Sequence, residues 1–127
     1  MRKSIFVLLM LLASATLLSQ KQTGVDGHWL GTLVIPQATL RLAITLSGSG
    51  SGELKAVLTS IDQGGAEVPM DQAVLKNDTL SVSSAALGLN MKGAISATEG
   101  TWETMFKQGP VQTELMMKKV DKIPSAD

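Results

Sequence analysis

Cysteine is absent from the 127 residues, and so is tyrosine. Without cysteine there is no disulfide, no thiolate metal ligand and no lipid-bearing N-terminal cysteine, so any fold rests on its core. Histidine occurs once, as His28, and one imidazole does not supply the two- or three-histidine set of a typical zinc site. Nor does a candidate nucleophile neighbour it in sequence for general-base chemistry, so His28 reads as an outward-facing strand residue. Aromatics are limited to Phe6, Trp29, Trp102 and Phe106, too few for the stacking platforms that recognise sugars or nucleobases. Trp29 and Phe106 read as core anchors. Charge of one sign is also missing: 11 basic residues balance 11 acidic ones, against a nucleic acid partner and against an anionic membrane surface.

What is present begins with Arg2 and Lys3, an apolar run from Ile5 to Leu12 and the triplet Ala13, Ser14, Ala15, in the order of a secretory signal peptide. Extended to Leu18 the run is about 14 residues, short of the ~18 to 20 that span a bilayer. The expectation is therefore export without a stable membrane anchor, with residues 1–19 as the signal peptide, cleaved near 15 or 19. Periplasmic or extracellular location follows. Loss of Arg2 and Lys3 takes the basic count from 11 to nine against 11 acidic residues. Residues 20–25 read as a polar leader, 26–120 as one domain and 121–127 as a tail.

Leu40, Leu42, Ile44 and Leu46 alternate with Arg41, Ala43 and Thr45, and a period of two places the four aliphatics on one face of a half-buried strand. The rhythm returns at Leu89, Met91, Gly93 and Ile95, and at Val111, Thr113, Leu115 and Met117. Turn signals at Pro36 and Gln37, at Asn77 and Asp78, and at Gly109 and Pro110 separate further short segments. Strands are predicted at 27–35, 40–46, 53–60, 66–70, 73–76, 79–83, 89–96, 101–107 and 111–119. Ser47 to Gly52 reads as a flexible hairpin loop. The predicted fold is all-β, an antiparallel meander of about nine short strands that hides its edges by closing into an up-and-down barrel or, alternatively, a β-sandwich.

No reaction centre emerges. The segment Gly48 to Gly52 has glycine, not serine, at the centre of a would-be G-x-S-x-G, and no serine precedes lysine at S-x-x-K spacing. Asp62, Glu67 and Asp71 are the densest acidic group, but their spacing fits no calcium loop. Asn77, Asp78 and Thr79 satisfy a glycosylation sequon and read as a turn. No enzyme activity, metal or cofactor is expected. Met70, Met91, Met105, Met116 and Met117 either line an adaptable apolar cavity or fill an irregular core.

Taken in order, Gly27, His28, Trp29, Leu30 and Gly31, then Ser60, Ile61, Asp62, Gln63 and Gly64 with Val68 and Pro69, then Gly93, and Phe106, Lys107, Gln108 and Gly109 with Leu115 and Lys118, resemble the small β-domain that precedes the catalytic domain in secreted bacterial α/β-hydrolases and related serine hydrolases. The resemblance spans about residues 26 to 120. Met91 stands where that domain commonly has an aromatic, and Thr104 where it has a glycine. The family's hydrolytic chemistry belongs to the catalytic domain, so the resemblance implies a noncatalytic accessory or interaction domain. It implies structural roles for Trp29, Gly31, Ser60, Asp62, Gln63, Gly64, Pro69, Gly93, Phe106, Gln108 and Gly109. A secreted hydrolase is one partner to expect, and a small apolar ligand in a lipocalin-like barrel is the alternative. A cavity lined by Leu42, Ile44, Met91 and Met117 favours that binder, whereas a packed interior favours the interaction domain.

Overall fold

The computed structural model describes residues 24–125. The expected signal peptide and most of the leader lie outside them. Nine strands make a single antiparallel meander: β1 (Gly27–Ile35), β2 (Ala38–Ser47), β3 (Lys55–Ser60), β4 (Ala66–Pro69), β5 (Gln72–Lys76), β6 (Thr79–Ser84), β7 (Leu89–Ser96), β8 (Thr101–Gln108) and β9 (Val111–Val120). Their order in the sheet is β4-β3-β2-β1-β9-β8-β7-β6-β5, and the sheet curls into a half-barrel. Two short 3-10 turns, Ser49–Ser51 and Ile61–Gln63, interrupt the loops. Among the described residues no helix is long and apolar enough to cross a membrane.

Alternation supplies the core. The inward positions Trp29 and Leu33 of β1, Leu42, Ile44 and Leu46 of β2, Leu89, Met91 and Ile95 of β7, Trp102 and Phe106 of β8, and Leu115 and Met117 of β9 form one buried cluster, together with Leu80 and Val82 of β6. Full burial of such side chains stabilises by ~1.5 to 3 kcal/mol each, which suits a chain without disulfides. Two glycines let strands approach closely. A Cβ at Gly93 would overlap the Glu103 carbonyl and lie 2.7 Å from the Thr104 Cα, and one at Gly31 would strike the Met117 thioether and lie 2.9 Å from the Met116 carbonyl.

Two features shape the ends of the half-barrel. The edge strands β4 and β5 are consecutive, and the chain crosses between them at Met70 and Asp71. Met70 N donates to Ala56 O (2.9 Å), and Asp71 N donates to Ser83 O (2.8 Å). Strands β1 and β9 share a ladder of three residue pairs, from His28↔Val120 to Leu30↔Lys118. This ladder lies at the end where β1 begins. There Val25 is buried, and its carbonyl accepts the Trp29 indole N–H at 2.9 Å. Lys119 Nζ donates to Gly24 O (2.8 Å) and stands 5.9 Å from the Trp29 ring centroid. Val25, expected in the leader, is thus part of the core, because it covers the end of the half-barrel beside Trp29.

Candidate functional site

The opposite end gathers the β1–β2 turn, the turn Ile61–Gln63, the β6–β7 loop and the β8–β9 turn. Alternation along a meander brings all four to one side. Between them opens a cavity of about 390 Å³, within the ~300 to 1,000 Å³ typical of small-molecule sites. Its wall is built from Leu33 of β1, Leu42 of β2, Leu58 of β3, Leu89 of β7 and Phe106 of β8. These five are 3–7% exposed, whereas Trp29, Ile44, Met91, Trp102 and Met117 are all at 0%. The interior is packed at the middle and open at this end. Of the four residues proposed to line a cavity, Leu42 does so; Ile44, Met91 and Met117 fill the core instead.

Polar lining is restricted to Ser60, Gln63 and Gln108. No lining residue carries a charge. Ser60 Oγ hydrogen-bonds to Gln63 Oε1, and Gln108 Nε2 donates to Leu87 O at 3.0 Å. On the rim, Asp62 accepts from the backbone N–H of Arg41 (2.9 Å) and from its guanidinium, with Nη2 to Oδ1 at 2.6 Å. The Arg41 side-chain hydrogen bonds, then its backbone N–H, hold the Asp62 carboxyl below its ordinary value of 3.8. The contact fastens the turn Ile61–Gln63 to β2, and Ile61 beneath it is 1% exposed.

The residues singled out by resemblance fall in two groups. Ser60, Gln63, Phe106 and Gln108 meet at the cavity although two segments 43 or more residues apart supply them, with Asp62 on the rim. Gly64 (φ 83°) ends the turn behind Gln63, and Gly109 (φ 57°) turns the chain after Gln108. Trp29, Gly31 and Gly93 belong to the packed body, and Pro69 ends β4 before the crossing to β5. Thr104 is 4% exposed and its hydroxyl has no partner among the described residues. The role of Arg41 has no local signature, because its partner lies 21 residues on. Arg41 is the one charged residue of β2.

His28 sits elsewhere. Its Nδ1 is 2.8 Å from Thr45 Oγ1, and it does not line the cavity. Among the described residues no three His, Asp or Glu side chains gather to hold a metal ion. Asp71 is occupied by accepting from Ala85 N at 2.6 Å. Comparison with family models, with curated proteins and with solved structures gives no match.

Proposed function

We propose that the chain is an exported, noncatalytic domain that binds a small apolar ligand in the open end of its half-barrel. The observation that carries this reading is the cavity of about 390 Å³ whose lining includes five large apolar side chains and no charge. An apolar wall with a few neutral polar groups is the usual composition of a small-molecule site. The single imidazole, paired with Thr45, is not among the residues that line the cavity. The order Arg2–Lys3, apolar run, Ala13–Ser14–Ala15 supports export.

A second reading, the accessory interaction domain of a secreted hydrolase, draws support from the packed layer at Ile44, Met91 and Met117 and from the ordered likeness of the motifs. Titration with the neutral fluorophore N-phenyl-1-naphthylamine separates the two. Binding predicts a saturable rise in fluorescence, weakened at least tenfold by Ala66→Trp, which places a ring in the cavity from the exposed edge strand β4. No saturable rise, or equal affinity in a folded Ala66→Trp protein, leaves the interaction domain as the better reading.

A further inference from the structure

Resting on that binding reading, we infer that the cavity selects ligands with an uncharged polar end, such as a long-chain alcohol, against the carboxylate of equal chain length. The two glutamines at the cavity each make one hydrogen bond. Gln63 presents its carbonyl oxygen to Ser60, and Gln108 presents its amide nitrogen to Leu87 O. The Leu87 carbonyl, an acceptor only, sets which way the Gln108 amide faces, whereas the Ser60 hydroxyl can pair with either end of the Gln63 amide. A hydroxyl, which both donates and accepts, suits a neutral amide in either orientation. A carboxylate is an acceptor only and opposes Gln108 Oε1.

Charge leads to the same selection. An anion drawn into an apolar pocket loses hydration and needs a cation in return, and the lining holds none. Arg41 lies on β2 between Leu40 and Leu42 but directs its guanidinium at Asp62, with Nε at 3.1 and 3.2 Å from the two carboxylate oxygens and Nη2 at 2.6 Å. The Arg41 charge is thus balanced by Asp62.

The test is competition by dodecanol and dodecanoate against bound N-phenyl-1-naphthylamine at pH 8, in the unaltered protein and in Gln63→Lys. Dodecanol is expected to displace the probe at a concentration at least tenfold lower than dodecanoate, and Gln63→Lys, by placing an ammonium at the cavity, to shrink that ratio at least fivefold. Comparing the two ligands within each protein removes any general loss of affinity in the variant. Equal potency in the unaltered protein overturns the selectivity, and so does a ratio that Gln63→Lys leaves unchanged, because ligand hydrophobicity alone then explains it. If the probe itself does not bind the unaltered protein, the binding reading is what fails, and the selectivity goes with it.

Discussion

Thr104 shows how much a single residue can disclose once its neighbours are known. Its hydroxyl is buried without a partner, opposite Gly93 on one side and Leu115 on the other, and an unpaired buried hydroxyl costs ~1 to 3 kcal/mol. Thr104→Val keeps the volume and removes that group, so urea unfolding should show a gain of ~1 to 2 kcal/mol; a loss would mean that the hydroxyl is satisfied in solution. Asp62 has the opposite character, a polar group well provided for. Its carboxyl titrates below its ordinary value of 3.8 because Arg41 stabilises the charged form. The stabilisation is therefore complete above about pH 5 and disappears as pH falls through the lowered folded value. The stability gap between the unaltered protein and Asp62→Asn should accordingly narrow between pH 6 and pH 3, and a gap of constant size would mean that the ion pair does not form. Neither feature was legible in the sequence. A threonine in a strand gives no sign that its hydroxyl is orphaned, and the Arg41–Asp62 pair depends on which strand lies beside the turn.

Among elements, the strands marked by a period of two or by a flanking turn were the most legible. Strands β1 and β7 have the boundaries expected, Gly27–Ile35 and Leu89–Ser96, and β2 differs only by gaining Ala38, Thr39 and Ser47. Strand β3 begins at Lys55 rather than residue 53, since the connection from β2 is longer than a simple hairpin loop. It contains the 3-10 turn Ser49–Ser51, and Ser49 N donates to Asp26 Oδ1 at 3.1 Å. That long-range contact has no local signature. The β5–β6 turn was legible from Asn77 and Asp78 alone: both have positive φ, 52° and 63°, as a two-residue hairpin whose turn follows the strand twist requires. A non-glycine residue in that region is strained by ~1 to 2 kcal/mol, partly offset by the greater chain entropy of glycine. Asp78→Gly should thus stabilise by ~0.5 to 1 kcal/mol in thermal or urea unfolding. Destabilisation would show that the Asp78 side chain makes a contact worth more than the strain.

At the scale of the whole molecule, the all-β, barrel-like meander was legible and the pairing of its distant strands was not. Period-two patterning says which face is buried but not which distant strands meet, so the β1–β9 ladder and the step from β4 to β5 at Met70 and Asp71 required the structure. Those same features explain why the half-barrel has unlike ends. Val25, Trp29 and Lys119 cover the end that holds the ladder, while the opposite end retains the cavity flanked by the Ser60–Gln63 and Phe106–Gln108 segments. Methyl NMR of the leucines during titration with dodecanol tests most directly whether that open end binds. The methyls of Leu33, Leu42, Leu58 and Leu89, which line the cavity, should shift progressively and saturate, while those of Leu46 and Leu80, buried away from it, remain in place. Saturable shifts at Leu46 and Leu80 with none at the four cavity leucines, or no shifts at all, would contradict binding at the open end.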